Sequence, residues 1–395
     1  LLACVARPLA VAPILALLFL CLLFPAAALA TPRIGVMTME PGTIFFERFG
    51  HDALVVDDPA RGETISYNYG FFDPGEPGFV GRFVRGVMMY QLVALPLAQD
   101  LQYYDETGRG VSIQWLNLSD TEARQLAAAL AVNARPENAR YRYDYFTDNC
   151  STRVRDAVDK VLGGALKRQI EGRSHGNTYR GESVRLASPA WWMWLGFDIG
   201  LGPAADRPLS VWEESFVPMR LADALREVNG SDGKPLVRSE QRLLPHRIAP
   251  EPAEFQLAWW PWLLCGLLLA AVAVWAARKR PRAVAAVALP FWALCTILGA
   301  LMGFIWLFTA HRFGWSNHNL LLLNPLCLLL LPGGWRIARG REAGPWFGRW
   351  LAAILGCAVL ALFLLWLPVE PQRNAHWLAL LLPVHYGLFL ALRRR

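Results

Sequence analysis

One cysteine in this chain stands apart from the others. Six of the seven cysteines lie in long apolar stretches, whereas Cys150 lies in a polar region, in the run YDYFTDNCSTRVRD. An alternating tyrosine pattern ends just before it, and an amphipathic helix is predicted to begin there. The positive end of a helix dipole stabilises a thiolate, so we expect a nucleophilic Cys150 with a lowered pKa.

His51 is the candidate base for this thiol. It opens a predicted strand in FGHDALVV, and a cysteine with a distant histidine suits nucleophilic catalysis better than a disulfide. The polar region contains two other histidines, His175 and His246, both in predicted loops. The group that would orient His51 stays open among three residues: Asn68, Asp73 and Glu47.

The residues around Cys150 have two interpretations each. Asp148 and Asn149 either cap the helix or help to form an oxyanion site. The backbone N–H of Cys150 is a natural oxyanion donor at such a turn. Arg153 follows on the same helix and either binds a phosphate or simply faces solvent.

The predicted elements place the histidine before the cysteine. A hairpin that starts at His51 comes first, further strands and a helix follow, and the helix at Cys150 comes last. Papain-like hydrolases have the opposite order, with the cysteine helix first. Circularly permuted members of that fold, such as the lecithin:retinol acyltransferase and NlpC families, resemble this chain in order and local context. We therefore expect an α+β, permuted papain-like domain.

The chain divides by composition into two domains. Residues 31–250 are mixed, whereas an excess of Leu, Ala, Trp and Phe follows, in a chain that is 54% hydrophobic overall. Residues 251–395 are predicted to form an all-α transmembrane domain of about five helices. Their approximate spans are 257–277, 283–309, 319–331, 349–368 and 376–392. Residues 1–30 are typical of a signal peptide with an Ala-Leu-Ala cleavage site, or alternatively of an uncleaved anchor.

Basic loops predict the topology. Arginine-rich segments at 278–282, 336–341 and 393–395 are expected on the cytoplasmic side. This places the polar domain on the external side of the membrane. The net charge of +7 therefore has a topological meaning and does not indicate nucleic-acid binding.

The loop at 311–319 is predicted to lie on the external face, under the polar domain. It carries His311, Asn317 and Asn319, which either form a polar turn or bind a lipid headgroup or another polar part of a substrate. A metal site is not expected there, because no carboxylate or third histidine is near. No cofactor is expected elsewhere.

Long motifs resemble one known family. They are FGHDALVV, YNYGFFDP, GRFVRGVMMYQL, YDYFTDNCSTRVRD and WWMWLGFDIGLGPAADRPLSVWEESFVPMRL. These motifs are similar to those of the lipoprotein N-acyltransferases first named from Bacteroides, which join an external Cys/His domain to C-terminal membrane helices. The resemblance maps the family's histidine onto His51 and its cysteine onto Cys150.

The resemblance implies an acyltransferase. A Cys150 thiolate would take an acyl chain from a phospholipid and pass it to the N-terminal amine of a diacylglyceryl lipoprotein. Two alternatives remain at this point. One is a periplasmic cysteine hydrolase, either a peptidase or a lipase, and the other is a non-catalytic membrane assembly protein.

Overall fold

The computed structural model describes residues 31–395, so the expected signal peptide at 1–30 lies outside the described residues. The described chain begins with a sheet-rich α+β region. Its strands are β1 Arg33–Met39, β2 His51–Asp58, β3 Glu63–Phe71, β4 Met88–Pro96, β5 Val111–Leu116, β6 Arg140–Tyr143 and β7 Val237–Leu244. They form one antiparallel sheet in the order β6-β4-β3-β2-β1-β5-β7.

Helices surround this sheet. They are α1 Phe79–Arg85, α2 Leu97–Thr107, α3 Asp120–Asn133, α4 Pro136–Ala139, α5 Cys150–Val161, α6 Ala165–Ile170, α7 Tyr179–Ala187, α8 Trp191–Gly200, α9 Val211–Glu214 and α10 Pro218–Arg226. Short 3-10 helices occur at Phe45–Glu47 and Pro203–Ala205.

Both faces of the sheet are buried, because its strands alternate between two apolar cores. Leu54 and Val56 of β2 face the core that contains Val154 and Val158 of α5. Ala53 and Val55 face the opposite core, which contains residues of α2. Helix α5 packs against β2 and β3. The cysteine helix and the histidine strand are therefore direct neighbours.

Five segments follow that are long and apolar enough to cross a membrane: Trp260–Lys279, Pro281–Phe308, His318–Ala338, Phe347–Trp366 and Ala375–Leu392. The prediction of about five membrane helices is confirmed. Their α-helices are α11 Trp260–Lys279, α12 Pro281–Phe308, α13 Leu331–Ala338, α14 Phe347–Phe363 and α15 Ala375–Leu392. The 3-10 turns between them are Arg312–Gly314, His318–Leu321, Pro325–Leu330 and Leu364–Trp366.

The third span is broken, as its Asn324-Pro325 pair suggests, but it extends further than expected. It consists of two 3-10 turns followed by α13. Gly333 and Gly334 lie within α13, and each glycine packs against an aromatic ring. An added Cβ would come within 2.3 Å of Phe347 at the first position and within 2.6 Å of Trp292 at the second. These glycines permit close helix packing.

The sheet-rich region rests on the membrane segments through buried polar contacts. Asp198 of α8 accepts hydrogen bonds from His376 Nε2 and Trp377 Nε1, both at 2.7 Å. The carbonyl of Ile199 accepts from Asn317 at 2.7 Å and from Asn319 at 3.1 Å. Since unpaired buried polar groups are costly, these contacts fix the orientation of the sheet-rich region on the spans.

Candidate functional site

Cys150 is the first residue of α5, as predicted, and the turn before it is held by Asn149. The Asn149 side-chain oxygen accepts from Thr152 N at 2.9 Å, which completes a capping box. Its amide nitrogen donates to the carbonyls of Tyr145 and Phe216 at 3.0 and 2.9 Å. Of the two interpretations of Asn149, the geometry favours the cap, because the whole amide is occupied.

The thiol of Cys150 is buried, with 9% of the residue exposed. Burial, with a smaller contribution from the carboxylate of Asp52, raises the pKa of Cys150 to about 12. The backbone amides of Asp52, Ser151 and Cys150 lower it, but they do not compensate. The expectation of a lowered pKa is thus wrong for this structure, because desolvation outweighs the helix N-terminus.

His51 is part of a buried chain of hydrogen bonds. Its Nε2 lies 3.1 Å from Asn68 Oδ1 on the neighbouring strand β3. The amide nitrogen of Asn68 donates to Asp100 Oδ2 at 2.9 Å, and Ser66 Oγ donates to the same oxygen at 2.7 Å. Asn68 is therefore the one of the three candidates that contacts the histidine, and Asp100 supports it from α2.

These bonds determine which nitrogen of His51 carries the proton. Because the Asn68 nitrogen donates to a carboxylate, its oxygen must be the atom that faces His51. This oxygen can only accept, so Nε2 of His51 is protonated and Nδ1 is the basic nitrogen. An asparagine that orients a histidine in this way leaves one ring nitrogen free to take a proton from a thiol.

His51 is a neutral imidazole at pH 7. Burial lowers the pKa of His51 to about 4, Arg109 lowers it as well, and Asp100 opposes the shift. His51 is adjacent in sequence to Asp52, whose backbone amide lies beside the Cys150 thiol. Within residues 31–395, no hydrogen bond joins Cys150 to His51. Catalytic contacts of this kind often form only with substrate bound.

We expect the alkylation rate of Cys150 to rise steadily with pH and to show no plateau between about pH 6 and 9. The reason is that both groups are neutral in the resting site. The measurement is the rate of modification by iodoacetamide in a variant without the other cysteines. A midpoint below the ~8.5 of a free cysteine, lost in His51→Ala, would instead show a thiolate–imidazolium pair.

The other candidate partners of His51 are occupied elsewhere. Asp73 accepts from Gly75 N in an exposed turn. Glu47 is buried, accepts from Tyr103 Oη at 2.7 Å and pairs with Arg109 at 3.6 Å.

The two rival histidines are also occupied. His175 Nδ1 lies 2.7 Å from Glu214 Oε2, and His246 Nδ1 accepts from Gly110 N at 2.9 Å. Neither histidine is near Cys150 in the sequence, and neither forms a hydrogen bond with the turn that precedes Cys150.

A buried tyrosine hydroxyl lies near Cys150. A side chain at Gly70 would place its Cβ 3.7 Å from Cys150 Cβ, 3.7 Å from Tyr143 Cε2 and 3.9 Å from Tyr141 Oη. Tyr141 is 8% exposed, and its hydroxyl has no hydrogen-bond partner among the described residues. Burial holds its pKa well above the usual value, so the hydroxyl is neutral. Among residues 31–395 it is therefore an unpaired hydrogen-bond donor close to Cys150.

Arg153 positions this tyrosine. Its guanidinium carbon lies 3.9 Å from the centre of the Tyr141 ring, and it pairs with Asp148 at 2.5 and 2.9 Å. The charged groups of Arg153 and Asp148 therefore neutralise each other in an ion pair. The phosphate-binding interpretation of Arg153 and the oxyanion interpretation of Asp148 both lose support from this geometry.

Asp52 is a second buried acid at the site. Thr38 Oγ1 donates to its Oδ1 at 2.8 Å, while its Oδ2 has no partner among residues 31–395. Burial raises the pKa of Asp52 to about 7, although the Thr38 hydroxyl lowers it. The hydroxyl of Ser151 donates to the Ser215 carbonyl at 2.7 Å.

We expect Asp52 to stabilise the folded state less as pH rises from about 4 to 7, whereas the lowered pKa of His51 acts in the opposite sense over a similar window. The folded state keeps the Asp52 proton up to about pH 7, whereas the unfolded state loses it near the ordinary value of 3.8. A raised pKa stabilises the folded state at low pH and stops doing so above the folded pKa. The melting temperature of the wild type minus that of Asp52→Asn should therefore fall as pH rises from about 4 to 7. Asp57→Asn, at a half-buried position on the same strand, is the control.

Of the two interpretations of the 311–319 loop, the geometry favours the polar turn, in which Asn317 Oδ1 accepts from Asn319 N at 2.9 Å. Asn317 and Asn319 are 2% and 0% exposed, and both donate to Ile199. They are therefore buried between the two parts of the chain and cannot reach a headgroup. His311 Nδ1 lies 3.0 Å from Tyr145 Oη, and its Nε2 lies 3.0 Å from the Phe83 carbonyl. It joins the Cys150 turn to α1.

A cleft of about 340 Å³ opens between the Cys150 turn and this loop. Its lining includes Tyr143, Thr147, Arg142, His311 and Arg312. Tyr143 lines this cleft, and its Cε2 lies 3.7 Å from the position that a Cβ at Gly70 would take, as does Cys150 Cβ.

Three residues of the site could not be identified from the sequence: Asp100, Tyr141 and Asp52. Asp100 lies on a helix with no motif around it, and only the fold brings it to Asn68. Tyr141 was recognisable as part of an alternating strand. Nothing in the sequence indicated that its hydroxyl would lack a hydrogen-bond partner.

Two family models match the chain. One describes the Lnb N-terminal periplasmic domain and matches residues 26–181. The other describes the Lnb transmembrane domain and matches residues 253–395. No curated protein and no solved structure matches.

Proposed function

Because the chain belongs to the Lnb family, as a membrane protein with a periplasmic domain and five candidate membrane helices, we propose a specific activity for it. It is a thiol-dependent acyltransferase of the bacterial inner membrane. It moves an acyl chain from a phospholipid, through a thioester on Cys150, to the N-terminal amine of a diacylglyceryl lipoprotein. Residues 31–250 form the catalytic domain and residues 251–395 the membrane domain.

The observation that carries this proposal is the thiol itself. Cys150 lies at a helix start, in the periplasmic domain, beside a histidine strand whose His51 has its basic nitrogen defined by Asn68 and Asp100. Its order in the chain, after the histidine, is the order of a permuted papain-like fold. Such a thiol–imidazole–amide set is suited to acyl transfer.

In the first half-reaction, Nδ1 of His51 takes the thiol proton as Sγ attacks the ester carbonyl. The carbonyl oxygen becomes an oxyanion. The backbone N–H of Cys150 and the hydroxyl of Tyr141 donate to it. When the intermediate collapses, the C–O bond breaks and His51 protonates the leaving alkoxide. A lysophospholipid departs, and the acyl chain remains on Cys150.

In the second half-reaction, the acceptor amine attacks the thioester carbonyl. His51 takes a proton from the amine, the C–S bond breaks, and the thiolate is protonated again. The product is an amide on the lipoprotein N-terminus. Water in place of the amine would make the protein a hydrolase, so the identity of the second nucleophile is the point to test.

The test is mass spectrometry of lipoprotein N-termini in cells with the wild-type gene, without the gene, and with Cys150→Ala. We expect an N-acyl group only with the wild-type gene. Acylated N-termini in all three cells would contradict the proposal. Unmodified N-termini together with free fatty acid released by the wild type would favour the hydrolase.

A further inference from the structure

A row of aromatic rings connects α1 with the nucleophile. It consists of Phe83, Phe79, Phe72, Tyr90 and Tyr143, which we call the aromatic row. Successive ring centres are 6.3, 5.5, 4.9 and 4.3 Å apart. The last ring, Tyr143, borders the same space beside Gly70 as Cys150.

The outer end of the row lies at the level where the spans leave the membrane. Ala310, two residues beyond α12, donates to the Arg85 carbonyl at the end of α1 at 2.8 Å. His311 contacts the Phe83 carbonyl at 3.0 Å. Helix α1 is therefore attached directly to the periplasmic end of a span.

Exposed tryptophans mark the same level. Trp259 and Trp260 at the start of the first span, Trp315 after the second and Trp366 at the end of the fourth are all exposed. Tryptophans of this kind are typical of the boundary between hydrocarbon and water. Trp191 and Trp192 of α8 are also exposed, and Trp192 stacks on Phe45 at 6.2 Å.

Three large apolar side chains are exposed on α1 together with Arg85, although the exposed face of a helix in water is usually polar. Val80 is 69% exposed, and Phe83 and Val84 are exposed as well. Arg82 and Arg85 of the same helix donate instead to the backbone carbonyls of Pro77 and Gly81. An apolar face at the height of the aromatic belt fits the bilayer surface as its partner.

We propose that α1 is immersed in the periplasmic leaflet and that the aromatic row is the binding site for the acyl chain of a phospholipid from that leaflet. The chain enters at Phe83 and lies along Phe79, Phe72 and Tyr90. Its ester carbonyl then reaches the space beside Cys150. This inference rests on the proposed function for the reaction, but the position of α1 in the leaflet does not depend on any chemistry.

The first test measures position without activity. Phe83 is replaced by the photo-crosslinking residue p-benzoylphenylalanine in the full chain, reconstituted in nanodiscs of phosphatidylethanolamine and phosphatidylglycerol with labelled acyl chains. A second protein carries the same replacement at Val132, which is also exposed but lies on α3. We expect crosslinks to lipid at position 83 and none at 132. Equal labelling at the two positions, or none at 83, overturns the inference.

The second test separates chain binding from chemistry. In vesicles of the same two lipids, Phe79→Ser should slow acyl-enzyme formation from long-chain phospholipid by at least about tenfold. Acylation of Cys150 by p-nitrophenyl acetate should stay unchanged, and Phe79→Leu should keep most of the phospholipid reaction.

The outcomes distinguish the two proposals. Equal rates for Phe79→Ser and wild type with phospholipid would sink the acyl-chain site and leave the thiol mechanism standing. Full activity of Cys150→Ala with phospholipid would sink the mechanism, while crosslinks at position 83 would still place α1 in the leaflet.

Discussion

Cys150→Ala should reduce acyl transfer by about 10⁴-fold or more, the effect typical of removing a covalent nucleophile. The side chain that is lost is small, and Cys150 is the first residue of α5, whose N-terminal cap is formed by Asn149 and Thr152. The protein should therefore still fold and insert. The measurement combines detection of the acyl-enzyme by mass spectrometry with the melting temperature of the purified protein.

The matched control is Cys265→Ala, which removes a thiol on the exposed face of the first span. It should leave acyl transfer at the wild-type rate. If Cys150→Ala retained transfer, or if the thioester were found on another cysteine, the nucleophile would be misassigned and a non-catalytic role would gain support.

Tyr141→Phe should reduce acyl transfer by about 10²–10³-fold, the loss seen when one oxyanion donor is removed. The change deletes only the hydroxyl and keeps the ring beneath Arg153. The hydroxyl is buried and unpaired, so its removal should leave stability unchanged or raise it slightly. The loss should lie in kcat, because the donor acts on the charge that develops in the transition state.

Tyr69→Phe provides the comparison within the same aromatic group. Tyr69 packs edge-on against Tyr141 at 6.1 Å, but its hydroxyl donates to Asn133 Oδ1 at 2.8 Å, away from the thiol. Its loss should weaken stability and leave kcat nearly intact. A reversed pattern, with kcat lost in Tyr69→Phe and kept in Tyr141→Phe, would remove Tyr141 from the oxyanion site.

Local patterns in the sequence predicted the elements that carry the site. A histidine at a strand start and a cysteine at a helix start were visible because turn and capping residues surround them. The apolar spans were visible from length alone. Asn68 was one of three candidates, and only strand register could select it: Ala53 pairs with Asn68, which brings Asn68 next to the His51 end of β2.

The sequence did not reveal which side chains are buried or which residues join the periplasmic domain to the membrane spans. The expected low pKa of Cys150 followed from the helix N-terminus, a local feature, whereas the desolvation that reverses it comes from distant segments. The choice between a polar turn and substrate binding at Asn317 and Asn319 was open for a similar reason. Their true partner, the carbonyl of Ile199, is more than a hundred residues away in the chain.

The polar contacts between α8 and the spans have a consequence for how substrate is supplied. Rocking the periplasmic domain would unpair the Asp198 carboxylate and the Ile199 carbonyl from four donors in the membrane domain, at about 1–3 kcal/mol for each group left unsatisfied. These contacts therefore oppose a swinging motion of the periplasmic domain. In the proposed reaction the lipid and the lipoprotein would then reach the site by lateral diffusion, so turnover should depend on their two-dimensional density and on the fluidity of the bilayer.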